Sequence, residues 1–164
     1  MPAKAGTQIT QRRRWLTAYA PLIIWTLFTL GLGSGAASMS ETSRFIRLLL
    51  EFLFPAADAD TLYLYHAAIR KLAHIFQYGV LCLLALRAFA PFKRPAVLGL
   101  CYVAAVAITD EINQSFDPAR TATPLDVLLD IGGALIAIGF VSVVRRIRPP
   151  REPNANVRNT GSGS

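Results

Sequence analysis

Cysteine, histidine and charge are all scarce in this chain of 164 residues. Its two cysteines, Cys82 and Cys101, lie inside apolar stretches, where a free thiol behaves as a small hydrophobe, so no disulfide framework is implied. No pair of cysteine and histidine positions has zinc-ligand spacing. Charged residues make up 16% of the chain against 53% hydrophobic ones, with a mean hydropathy of +0.40. That balance excludes an ordinary soluble domain of this size. Internal repeats and recognisable nucleophile motifs are absent too.

What the chain does have is long apolar runs. A spanning helix needs about 20 mainly apolar residues, and four segments reach that length: 15–34, 67–90, 96–114 and 124–144. The expected fold is an all-α membrane protein of four transmembrane helices plus a short outer interfacial amphipathic helix. Around the transmembrane domain, 15–144, lie a basic N-terminus, 1–14, and a basic tail, 145–164, whose RPPREPNANVRNTGSGS composition is that of a disordered segment.

Basic residues outnumber acidic ones, 17 to 10, for a net charge of +7. With four spans, Lys4, Arg12 to Arg14, Arg87, Lys93, Arg94, Arg145, Arg146, Arg148, Arg151 and Arg158 fall on the side of the termini. Only Arg44, Arg47, Arg70, Lys71 and Arg120 fall on the other. By the positive-inside rule both termini are expected in the cytoplasm, in a multi-pass protein of a bacterial cytoplasmic membrane. The same residues explain the positive charge as topology signals with some attraction to anionic membrane lipids, and no nucleic-acid partner is expected.

Pro21 interrupts the first apolar segment, which membrane helices tolerate, and the glycines at 31, 33 and 35 mark its end. Three arginines, an apolar run and GSGAAS also allow this segment to be read as a signal peptide, although its apolar stretch is longer than usual for one. Residues 41–54 are too short to span. Phe45, Leu48, Leu49, Phe52 and Leu53 repeat at helical spacing there, which predicts an interfacial helix ending before Pro55, with a re-entrant segment as the alternative. The APFKRPA turn makes the second and third spans an antiparallel hairpin.

The chemistry concentrates in DEINQSFDPARTATPLDVLLDIGG at 110–133, where acidic residues and an arginine sit between two apolar helices. Ionisable groups at membrane depth are costly and mark functional candidates. Residues three, four and seven apart share a helix face. Arg70, His74 and Gln77 therefore form a stripe flanked by Lys71 and Tyr78, while Asp110, Glu111 and Gln114 cluster at one helix end. Asp126 and Asp130 lie one turn apart, above Gly133 and Ala137. Thr123-Pro124-Leu125-Asp126 reads as a capping box, which is enough to explain Asp126. Asp130 is too deep for a cap, so it needs either a salt bridge to Arg70, Lys71 or Arg120, or a functional role. Asp117 reads as a turn residue.

These motifs resemble the VanZ-like family of small bacterial integral membrane proteins over about residues 66–140. The likeness rests on KLAHIFQYGVL at 71–81, which contains a Lys-x-x-His-x-x-x-Tyr pattern, and on DEINQSFDPAR at 110–120 followed by Asp126 and Asp130. Two positions depart from it: many members carry Glu where Gln77 stands and Asn where Asp130 stands. The resemblance implies a multi-pass envelope protein linked to teicoplanin and glycopeptide resistance, and no particular reaction.

Four readings of the polar residues follow. One is a site that binds or modifies an envelope amphiphile, such as a polyprenyl-phosphate-linked intermediate or a lipid-tailed glycopeptide. Arg70, Lys71 and Arg120 would hold its anion, with His74, Tyr78, Asp110, Glu111, Gln114, Asp126 and Asp130 around it. Another is a metal-dependent hydrolase or transferase with His74 and Glu111 as catalytic candidates. Asp110, Glu111, Asp126 and Asp130 would be its metal ligands, a donor set suited to Mg or Mn. The remaining two are a proton-coupled transporter and a purely structural polar network.

Overall fold

A computed structural model describes residues 3–33, 39–116 and 123–147, with side chains for 15–31, 44–116 and 123–147. The described residues are helical with short connections: α1 (Ala3–Gly33), α2 (Met39–Leu53), α3 (Ala59–Ala88), α4 (Pro95–Ser115) and α5 (Pro124–Ile147). The expected all-α class holds. α3, α4 and α5 are each long and apolar enough to cross a membrane, and the apolar part of α1, Trp15–Gly31, is shorter.

α3 is the hub, packing against each of the other four helices, and its interface with α5 is the most extensive. The core is narrow and made of small or slim side chains. Tyr78, Leu81, Cys82 and Ala85 of α3 meet Val103 and Ala107 of α4, Ala134 and Ala137 of α5, and Leu22 of α1. Large apolar side chains point outward instead, among them Ile24, Leu27, Phe76, Ile112, Ile136 and Phe140. An exterior this apolar would aggregate in water and is matched by lipid.

α1 runs unbroken through Pro21 and is built into the bundle by side-chain hydrogen bonds. The Trp25 indole donates to the Gln77 carbonyl of α3 at 3.1 Å, and the Thr26 and Tyr102 hydroxyls meet at 2.8 Å. Near the α3–α4 turn, Phe89 packs edge-on against Tyr19, Phe92 and Tyr102.

One local difference from the sequence expectation has a simple cause. α3 begins eight residues before the predicted span, because Asp58 caps it: its carboxylate accepts the Thr61 amide at 2.9 Å, and the Thr61 hydroxyl together with that amide holds the Asp58 carboxyl below its ordinary value. α2 is the predicted amphipathic helix and ends before Pro55. Its apolar stripe faces away from the protein, as an interfacial helix requires: Phe45, Leu48, Leu49, Phe52 and Leu53 are all exposed, and Leu50 on another arc is buried.

Candidate functional site

The polar residues converge between α3, α4 and α5 because the helices approach closely there. A Cβ added at Gly133 would lie 3.1 Å from both the Cα and the carbonyl carbon of Ile75, closer still to the Ile75 carbonyl oxygen, and one added at Gly79 would lie 3.4 Å from the Gly133 carbonyl oxygen. Only hydrogen on α5 at this point lets the two backbones touch. The contact sits beside His74 on one helix and one turn from Asp130 on the other.

Two hydrogen-bonded groups result. His74 Nδ1 lies 3.3 Å from Asp130 Oδ1. Tyr78 Oη and Gln114 Nε2 both donate to Asp110 Oδ2, each at 3.0 Å, so one carboxylate oxygen on α4 ties α3 to its own helix end. The His74 and Tyr78 rings stack with centroids 6.2 Å apart, which joins the two groups into one layer. Asp130 therefore takes His74 as its partner. Of the salt bridges offered for Asp130, those to Arg70 and Lys71 do not form among the described residues, because the fit at Gly133 turns the His74 edge of α3 toward α5, and Arg120 lies outside those residues.

The other predicted residues divide by position. Glu111 meets the backbone of Thr123, leaves its Oε1 without a hydrogen-bond partner among the described residues, and lies within electrostatic reach of Asp110, Asp126 and Asp130. Asp126 is half-buried, and its amide closes the first turn of α5 on the Thr123 carbonyl at 2.9 Å. Arg70, also half-buried, acts on His74 one turn away, whereas Lys71 is exposed. Arg120 and Asp117 lie outside the described residues. Gln77 contributes its backbone carbonyl to Trp25. Among the described residues, no three His, Cys, Asp or Glu side chains form a group suited to holding a metal ion.

The accessibility of these groups is uneven, and that decides what they can do chemically. Tyr78, Asp110 and Gln114 are buried, and the Asp130 side chain is 4% exposed, but the His74 side chain is 24% exposed. Asp130 holds one imidazole nitrogen, so the tautomer and tilt of the ring are set while Nε2 has no partner among the described residues. An imidazole held in this way can accept or donate a proton or bind a polar group.

Sequence reasoning missed the Trp25 and Thr26 bonds of α1 and the close approach at Gly133. The second was signalled by Gly133 and Ala137 on the Asp130 face, a small-residue surface of the kind that lets membrane helices touch.

No curated protein and no solved structure matches the chain. The VanZ/LLP1 family model matches residues 16–145, which takes in α2, α3 and α4, most of α1 and α5, and every residue of the polar layer. A polar layer of His74, Tyr78, Asp110, Gln114 and Asp130, set among apolar helices and covered end to end by that match, leads to one assignment: the chain is a membrane protein of the VanZ/LLP1 family.

Proposed function

We propose that His74, oriented by Asp130, is the contact point of a site that binds the polar head of a cell-envelope amphiphile. The observation that carries this reading is the difference in access: in a layer whose other members are closed off, the imidazole alone is both oriented and open. Arg70, one turn from His74, and Arg120 in the connection after α4 would supply positive charge for a phosphate or carboxylate. The outward apolar faces of α3, α4 and α5 would receive the tail.

In this reading the protein crosses a bacterial cytoplasmic membrane four times, with both termini in the cytoplasm and the polar layer toward the outer face. The ligand is a polyprenyl-phosphate-linked intermediate or a lipid-tailed glycopeptide. Family membership supports the envelope setting, and a link to lowered teicoplanin sensitivity belongs to the proposal.

Native mass spectrometry of gently solubilised protein tests it, with the wild type beside His74→Gln and Arg120→Ala and melting curves on the same samples. The expected result is a discrete bound amphiphile that both variants lose while their melting stays near that of the wild type. A wild type with no specific adduct, or variants that keep the adduct, would overturn the reading. Variants that lose stability in proportion to binding would make the layer a helix-pinning network instead.

A further inference from the structure

Apart from that layer, α2 and the first turns of α3 enclose a cavity of about 700 Å³. Arg44, Arg47 and Glu51 line it from α2, and Tyr63 and His66 line it from α3. Arg47 pairs with Glu51 at 2.8 Å, so these two cancel. Arg44 forms no ion pair among the described residues and leaves the lining with a net positive charge.

The depth of the cavity follows from helix length. α3 has 30 residues, about 45 Å at 1.5 Å per residue, against a hydrocarbon layer about 30 Å thick. With Arg87 at one interface, the turns from Ala59 to His66 stand in the headgroup layer at the other, where exposed Tyr63 and Tyr65 also belong. α2 fits the same level. Its Phe45, Leu48 and Phe52 are exposed along one arc, as for a helix lying in the interface with that arc in hydrocarbon, while Arg44 and Arg47 lie on the arc facing the cavity.

We propose that this cavity binds the phosphate headgroup of an anionic bilayer phospholipid, whose acyl chains pack beneath α2 against its apolar stripe. The Arg44 guanidinium meets two phosphate oxygens with paired N–H donors, and the Tyr63 hydroxyl and a His66 ring N–H supply further donors. Charge separates this ligand from zwitterionic lipid. The reading does not rest on the His74 site, from which His66 is two turns removed along α3, and it fails or stands without it.

The test uses the full chain in nanodiscs of dioleoyl phosphatidylcholine into which dioleoyl phosphatidylglycerol is titrated, with bound lipid counted by native mass spectrometry. A headgroup-photoreactive phosphatidylglycerol maps the contact. Arg44→Gln should weaken phosphatidylglycerol binding at least tenfold, as should His66→Ala, while Lys93→Gln near the far end of the bundle leaves it unchanged. Crosslinks should fall within residues 44–66, and millimolar inorganic phosphate should not displace the lipid. Equal retention of the two lipids, wild-type binding by Arg44→Gln, or crosslinks spread over the bundle would overturn the site. Displacement by inorganic phosphate alone would overturn the role given to the chains. Because Arg44 is exposed, melting of Arg44→Gln should match the wild type, and His66→Ala, on the other helix, gives an independent reading.

Discussion

Replacing Gly133 by alanine should loosen the protein where the same change at Gly132 does not. A Cβ at 133 would lie 3.1 Å from the Cα and carbonyl carbon of Ile75, whereas one at 132 meets nothing within 4 Å. Carbon atoms rest at about 3.5–4.0 Å, so these two contacts alone require α3 and α5 to part by roughly 0.4–0.9 Å, the nearer Ile75 carbonyl oxygen requires more, and all three atoms are backbone, which cannot rotate aside. Overpacking of this kind costs about 1–3 kcal/mol. The 3.3 Å His74–Asp130 bond stretches past hydrogen-bonding range with it, at about 0.6 kcal/mol for an average interhelical bond in a membrane. Alanine returns up to about 1 kcal/mol of helix propensity at either position. The net expectation is a loss of about 1–3 kcal/mol for Gly133→Ala, with Gly132→Ala at or slightly above wild type. Gly79→Ala, whose Cβ would make an ordinary 3.4 Å contact, should fall near zero. Reversible unfolding in mixed micelles measures the difference, and nitrogen NMR of the His74 ring shows whether its bond to Asp130 is lost in the first variant only. Equal stability of the two adjacent alanine variants would refute the close approach and the placement of the layer that depends on it.

Further perturbations test separate links. Tyr78→Phe keeps the packing of a fully buried ring but removes a donor to Asp110. It should cost about 1.5–3 kcal/mol in equilibrium unfolding if the carboxylate is ionised, and a change below about 0.5 would argue that it is not. A double-mutant cycle of Thr26→Val and Tyr102→Phe should give a coupling of about 0.6 kcal/mol, and at most about 1.7, from their 2.8 Å hydroxyl contact; zero coupling would detach α1 from α4 at that point. The Thr61 hydroxyl and amide stabilise the Asp58 carboxylate, which holds its pKa below the ordinary aspartate value of 3.8. Its capping contribution is therefore fully present above the unfolded pKa and lost as pH falls through the lower folded one. An NMR titration of the Thr61 amide should show a midpoint below 3.8, and a midpoint at or above it would remove the cap.

The parts of the molecule legible in the sequence were those set by periodicity along a single helix. Asp110 and Gln114 are four apart and bond each other, as their shared face implied. α4 starts at a proline and α5 at Pro124, where the breaks in the apolar runs put them. What stayed hidden depended on how two helices rotate against each other. Asp130 had His74, Arg70 and Lys71 all available on or beside one stripe of α3, and charge alone favours the cations. The choice of His74 is made by backbone contact at Gly133, a feature without charge or hydrophobicity. The periodicity of α2 also gave its apolar arc, which turns outward as expected of an interfacial helix, but not its inward side, which Leu50 marks.

That same rotation separates two roles that the residue types alone leave mixed. In Tyr78–Asp110–Gln114, one oxygen takes two donors inside a closed interface, so the group can pin helices but cannot reach a ligand without the bundle opening. The His74–Asp130 bond is longer than the 2.7–2.9 Å usual for a charge-assisted pair, and its histidine is partly open. A bond that long contributes little to holding α3 against α5, which the glycine contact already does, yet it suffices to orient a ring. Replacing Asp110 should therefore act first on unfolding, and replacing His74 first on binding. A His74→Gln protein that melted well below wild type while still holding its amphiphile would reverse the assignment of the two roles.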